Sequence, residues 1–349
     1  MKFRTMLCAI IVATIAPQHQ ASAGDAVGVR HVAAPSLERG GDLDVTVWYP
    51  AEPGGVTVNL GDSELFTGTS AARDAPISPG KFPLILLSHG AGLAGTPQAM
   101  SWIATPLARQ GFIVAAPTHP GNGGKNRSAA ETMKLWLRPV DLTATLDAME
   151  KEASFRGHID QGKVGALGLS MGGGTALAIA GARVDPKRLA AYCDTGLLNA
   201  SLCGWIRQSG VDLHAMDMRL AGRDNSDRRI RFAMALDPAP SDVFDAGSFS
   251  GIRIPVDIVN LGQPGKIPIT ADASDIAKAI SGASYATIAD ASHYSMFGEC
   301  KPDAPALVIS EEIGDPVCDD GGGRPRGQIH AQLIEMAAAA FNRALKAAP

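Results

Sequence analysis

The sequence predicts an α/β fold with a mostly parallel central sheet and helices on both faces, and three observations carry that expectation. Phe82 to Ser88 (FPLILLS) is a continuous apolar run, the mark of a strand buried on both faces of a parallel sheet. Helical stretches alternate with such runs along the chain, which builds βαβ units. The 349 residues are 46% hydrophobic and 19% charged, enough apolar content to exclude disorder for most of the chain. That length fits one large α/β domain or two smaller ones.

Taken in order, Leu43 to Trp48 alternates as a strand that Tyr49-Pro50 ends, and residues 51 to 80 read as a long surface excursion. After FPLILLS come a helix over Ala99 to Gln110, a buried strand over Phe112 to Ala116, and a helix over Leu135 to Glu152 broken near Pro139. Lys163 to Leu169 is a strand and Gly172 to Ala182 a helix. Strands follow at Arg231 to Leu236, Ile254 to Leu261 and Ala283 to Ala289, and Gln328 to Ala347 closes the chain as a helix. Between about 185 and 230 the alternation weakens and charges cluster (RLAGRDNSDRR), so an insertion is expected there.

The first 23 residues read as a secretory signal peptide, with the α/β domain at 24–349. Lys2 and Arg4 form a basic start, Met6 to Ala16 is an apolar stretch, and Ala21-Ser22-Ala23 supplies an A-x-A cleavage signature. Eleven residues rise only about 16 Å as a helix, too short to span a bilayer. A secreted or periplasmic protein without stable membrane insertion is therefore expected. The formal charge of −4, from 31 basic and 35 acidic residues, becomes −6 when Lys2 and Arg4 leave. With no Lys/Arg-rich run, nucleic acid is not an expected partner. Beyond Cys8 four cysteines remain, and three connectivities are open to them. The sequence-local pairing, Cys193–Cys203 and Cys300–Cys318, is the expectation, since oxidised cysteines suit an exported chain. No C-x-x-C or His/Cys cluster suggests a metal, and Asp319-Asp320-Gly321-Gly322-Gly323 reads as a solvated loop rather than a calcium site.

The motif with most chemical content is Gly168-Leu169-Ser170-Met171-Gly172, placed where a strand hands over to an Ala-rich helix. G-x-S-x-G in that setting is a nucleophile elbow. Side chains two positions either side of the serine must be absent for strand and helix to approach. Two bland readings stand beside it: a Gly-rich turn, or a dinucleotide-binding loop with Asp194 as the acid some 20 residues on. A serine hydroxyl needs a base to take its proton. Downstream lie His214, His293 and His330; His293, in a loop just after a strand, is the candidate. For an oxyanion hole, Met171 supplies one backbone N–H and Ala91, in Ser88-His89-Gly90-Ala91 after the early strand, the other. His89 is expected to shape that loop rather than react. For the acid, Asp237 ends a strand and is followed by Pro238, which releases its carboxylate at the sheet edge. Asp257, Asp272, Asp242 and Asp245 remain alternatives. Trp102, Trp136, Trp205 and Met133 are candidates for lining a pocket.

FPLILLSHGAG, FIVAAPTHPGN, the helix containing RPVDL, GLSMGG, ALDP and ASHYSMF occur in an order that resembles secreted bacterial predicted dienelactone hydrolases. These are α/β-hydrolases similar to platelet-activating-factor acetylhydrolases, and the resemblance covers about residues 28 to 340. True dienelactone hydrolases use a cysteine where this chain has Ser170. The resemblance implies an α/β-hydrolase fold and carboxylic ester hydrolysis by Ser170, Asp237 and His293, without metal or organic cofactor, on a small-molecule ester. The acetylhydrolases carry their acid after the same strand, in a similar ALD context. An amidase or peptidase using the same residues, and a non-catalytic binding protein on this fold, stay open as other classes.

Overall fold

The computed structural model describes residues 26–123, 127–311 and 313–346, so the signal-peptide reading lies outside the described residues. Among the described residues ten strands form one sheet: β1 (Val27–Ser36), β2 (Gly41–Pro50), β3 (Val56–Leu60), β4 (Thr69–Arg73), β5 (Phe82–Ser88), β6 (Ile113–Pro117), β7 (Ile159–Leu169), β8 (Ile230–Leu236), β9 (Val256–Leu261) and β10 (Ser284–Ile288). Their order is β10-β9-β8-β7-β5-β6-β2-β1-β4-β3. From β10 to β6 every pairing is parallel, whereas β2 runs antiparallel to both β6 and β1.

The helices among the described residues are α1 (Ser101–Arg109), α2 (Ala129–Thr132), α3 (Arg138–Lys151), α4 (Met171–Ala180), α5 (Pro186–Ala190), α6 (Ala200–Gln208), α7 (Ser274–Ala279), α8 (Ala304–Ser310) and α9 (Arg326–Phe341). Because strand side chains alternate, each central strand feeds two apolar layers. Leu84, Leu86, Ala166, Ala233 and Ile258 pack with α3 and α4 on one face. Ile85, Leu87, Leu167, Phe232 and Met234 pack with α1 and α9 on the other. Phe341 on α9 meets Phe232 edge-on at 5.0 Å. This is the predicted α/β architecture, with helices on both faces.

Three expectations change. Residues 51 to 80 are not one loop: β3 and β4 pair as an antiparallel hairpin that extends the sheet at its edge. The alternation in β3 leaves its side chains partly or fully exposed, so it has no apolar run to announce it. Val27–Ser36 is a strand that the sequence reading passed over. Pro139 does not break its helix but begins it, standing in the first turn of α3, where a missing N–H costs nothing. Residues 185 to 229 hold α5, α6 and a 3-10 turn at Leu213–Ala215, with no strand among them, and β8 begins at Ile230.

Two disulfides join Cys193 to Cys203 and Cys300 to Cys318, the sequence-local pairing. The second closes a span of 18 residues. Replacing Cys300 and Cys318 by serine is expected to lower the unfolding free energy by about 3 kcal/mol through the freed unfolded chain. A urea titration of the double variant against the parent measures it; a difference below about 0.5 kcal/mol would overturn the expectation.

Candidate active site

The site sits at the carboxyl ends of β5, β7, β8 and β10, and it is built by close backbone approach. Ser170 leaves β7 with φ 55° and ψ −122°, a conformation disfavoured for a side-chain-bearing residue. The turn holds because Ser170 N donates to the Leu236 carbonyl at 3.0 Å, while Ser170 O accepts from Gly173 N and Ala239 N. A Cβ at Gly168 would stand 1.8 Å from the Gly172 carbonyl oxygen, and one at Gly172 would stand 1.8 Å from that of Ser88. The two flanking glycines of the motif are therefore required by sterics.

Ser170 Oγ lies 3.0 Å from His293 Nε2. His293 opens a short 3-10 turn, His293–Met296, shortly after β10. Its Nδ1 lies 2.6 Å from Asp237 Oδ2. Asp237 is fully buried and has φ 44° just after β8. Its other oxygen, Oδ1, accepts from Asn260 Nδ2 and from Leu261 N, both at 2.7 Å. With Asp237 ionised, Nδ1 carries the hydrogen and Nε2 is bare to accept from the serine hydroxyl. The structure thus brings Ser170, His293 and Asp237 into one hydrogen-bonded chain.

Met171 and Ala91 border the same cleft, and among the described residues neither backbone N–H has an acceptor. Met171 also begins α4, whose N-terminal dipole end favours developing negative charge. The cleft holds about 230 Å³ and is walled by Trp205, Leu202, Tyr294, Phe297 and Met100. Arg127 lies over the Trp205 ring at 4.7 Å. Trp205, Leu202, Ser201 and Asn199 come from α6 and its cap, so the 185–230 stretch contributes a cleft wall, and the Cys193–Cys203 bridge tethers that helix.

The remaining candidates lie elsewhere. His214 pairs with Asp194 on the surface at 2.8 Å. Asp257 bonds Ser284 and Arg343, and Asp272 accepts from Ser274 N. Asp242 and Asp245 make no bond to His293; Asp245 caps a 3-10 turn. Trp136 and Met133 are core residues, and Trp102 is buried against His330. Asp320 is not a freely solvated loop residue, because it bonds Arg326 Nε at 2.7 Å and receives the Ser295 hydroxyl at 2.9 Å. With the Ser292 hydroxyl donating to Asp319 O and the Tyr294 hydroxyl to Asp315, the segment 315–320 around Cys318 braces the His293 turn. Asn260 was missed. Its signal was a polar residue inside the buried run Val256–Leu261.

His330 supports the same turn from α9. Its Nε2 donates to the Ser295 carbonyl at 2.8 Å and its ring stacks on Trp102 at 3.8 Å. Burial pushes its pKa down to about 4 from 6.5, so the fold holds it neutral. The unfolded chain binds a proton near pH 6.5 that the fold accepts only near pH 4. The neutral ring's stabilisation is therefore present above about 6.5 and lost as pH falls toward 4, amounting to about 3 kcal/mol. His330→Phe is expected to flatten the fall of Tm between pH 7 and 4; an unchanged slope would exclude His330 as its cause.

Among known proteins, the prolyl oligopeptidase family matches residues 98–192, a span that contains Ser170 but neither Asp237 nor His293. No curated protein matches the chain significantly. Among solved structures, a ferulic acid esterase from Streptomyces cinnamoneus superposes with TM-score 0.59 at 18% identity, covering 93% of this chain and 91% of that one. A puromycin-hydrolyzing peptidase of Mycobacterium tuberculosis superposes with TM-score 0.51 at 12% identity, covering 95% of this chain and 41% of the peptidase. A dienelactone hydrolase from Anabaena variabilis gives 0.49 at 13% identity over 91% of this chain and 98% of that one. No helix of the described residues is long and apolar enough to cross a membrane. By its fold, a mostly parallel sheet with helices on both faces, the chain is similar to these α/β-hydrolases.

Proposed function

We propose that the protein is an exported carboxylesterase working through Ser170, His293 and Asp237. The observation that carries this reading is the continuous chain from Ser170 Oγ through His293 to a buried carboxylate, facing two unengaged amides across one cleft. His293 Nε2 takes the hydroxyl proton as Ser170 Oγ attacks the ester carbonyl. The Asp237 carboxylate stabilises the imidazolium that forms. Met171 N–H and Ala91 N–H receive the oxyanion, His293 returns the proton to the departing alcohol, and water then releases the acyl group by the same route. Protein groups alone supply this chemistry. Both disulfides and the A-x-A signature support export to an oxidising compartment.

The apolar, aromatic cleft supports a small organic ester, and the ferulic acid esterase likeness adds to that reading. The prolyl oligopeptidase match favours amide bonds as the second reading. Turnover of a nitrophenyl ester series against matching anilides separates the two. Esters are expected to be hydrolysed and anilides poorly, with loss of activity on stoichiometric phosphonate labelling of Ser170. Anilide turnover exceeding that of the esters would replace the esterase reading by the amidase one.

A further inference from the structure

Three sequence features take no part in the proposed chemistry: Ser88-His89, His119 in its Thr-His-Pro turn, and Arg138 with Asp141 at the start of α3. The structure gathers them into one sealed assembly. Ser88, His89, His119, Arg138 and Asp141 are each 1% exposed or less, and none of their side chains lines the cleft. His119 Nδ1 meets Asp141 Oδ2 at 2.8 Å, and its Nε2 meets Ser88 Oγ at 2.9 Å. That is the connectivity of a second triad, but closed to any substrate. Arg39 clamps Asp141 through two bonds of 2.9 and 2.8 Å. Arg138 donates to Asn122 Oδ1 at 2.8 Å, to Thr175 Oγ1 at 2.9 Å, to Ser88 Oγ at 3.3 Å and to the His89 carbonyl.

His89 connects this assembly to the cleft. The His119 backbone N–H donates to His89 Nε2 at 3.1 Å. An amide can only donate, so Nε2 is bare and the ring hydrogen sits on Nδ1. That hydrogen is directed at the Gly90 carbonyl, 2.9 Å away. Burial first, then the neighbouring His119 and Arg138, hold the His89 pKa well below 6.5, so the ring stays in this form. In a planar trans peptide the C=O and N–H point in opposite directions. Fixing the Gly90 carbonyl therefore fixes the direction of the Ala91 N–H.

We infer that the sealed Ser88–His119–Asp141–Arg138 assembly is a positioning unit for the oxyanion site, acting through His89 on the Ala91 N–H. The inference rests on the serine-hydrolase reading above. His89 is a positioning residue: its ring never meets the substrate, and its effect is the aim of a backbone donor.

The test compares His89→Phe and His89→Asn in the full chain, by kcat per titrated active site, KM, and Ki for phenylboronic acid. Boronate adds to Ser170 and places an oxygen where the oxyanion forms. His89→Phe fills the space but loses the bond to Gly90 O. Deleting an oxyanion donor outright costs about 10²–10³ in kcat, so misaiming one is expected to cost about 10–100-fold. KM should stay within about twofold, because the interaction is made in the transition state. Boronate Ki should rise in step with the fall in kcat. His89→Asn places an amide N–H near the Nδ1 position and should recover most of the loss. The pH profile should keep its shape, since His293 and Asp237 are untouched. A purely structural role would lower Tm and the number of titratable sites while leaving kcat per site and Ki unchanged, and that result would overturn the inference. If His89→Phe fails to fold, Arg138→Lys releases the His89 carbonyl while keeping the charge, and unchanged kcat per site there overturns it equally. A wild-type protein that neither hydrolyses esters nor binds boronate would overturn the serine-hydrolase reading before any variant is made.

Discussion

Ser170→Ala is expected to lower ester turnover by about 10⁶-fold, the scale seen when a triad nucleophile is removed. The fold should survive the change. The strained φ of 55° at this position is imposed by Gly168, Gly172 and the bond from Ser170 N to Leu236 O, none of which involves the hydroxyl. Unfolding midpoints of the variant and parent should therefore agree closely. The largest loss of rate would then coincide with one of the smallest losses of stability, the signature of a group selected for chemistry. His293→Ala should fall comparably. A variant retaining a tenth of parental turnover after phosphonate-labelling controls would remove Ser170 from the mechanism, and with it the elbow reading.

Asp237→Asn is expected to lower kcat by about 10³–10⁴ with little change in Tm. The direction follows from the bonds around the carboxylate. Asn260 Nδ2 and Leu261 N both donate to Oδ1, so an asparagine must present its oxygen to them and its NH₂ to His293. A donor facing Nδ1 forces the imidazole to carry its hydrogen on Nε2, where it opposes the Ser170 hydroxyl. The backbone at φ 44° is one that asparagine adopts readily, so the turn after β8 should stand. Asp272→Asn is the matched control. That side chain accepts from Ser274 N near the start of α7, and asparagine keeps an oxygen for the same bond, so neither stability nor rate should change much. The opposite pattern, with turnover kept in Asp237→Asn and lost in Asp272→Asn, would move the acid to the later loop.

The sequence exposed those parts of the site whose residue types are dictated by sterics. Gly168 and Gly172 can be read because no other residue leaves room for the backbone contacts around Ser170. Asp237 is legible through Pro238, which marks the end of β8 and so places the carboxylate at the sheet's carboxyl edge. The parallel strands β5 to β9 are legible because burial on both faces demands apolar runs. The edge hairpin of β3 and β4 escapes this logic, since half-exposed strands need no apolar signature. The positioning role of Asn260 also escaped, because what it bonds depends on where β9 lies beside β8. The sealed His119–Asp141 pair joins a loop after β6 to α3, a contact 22 residues apart that no local pattern encodes.

The two disulfides have a consequence for how the protein comes to be active. They close spans of only 10 and 18 residues, so each partner can find the other by local search without the assembled sheet. The Ser170–His293–Asp237 hydrogen-bonded chain instead joins residues 56 and 123 positions apart, contacts that form only when the parallel sheet closes. Oxidation and catalytic competence are therefore separable in time. A chain refolding from the oxidised, unfolded state keeps native pairing without reshuffling, and its rate of regaining activity reports sheet assembly alone. A chain refolding from the reduced state adds thiol chemistry at the cleft wall carried by α6 and at the segment that braces His293.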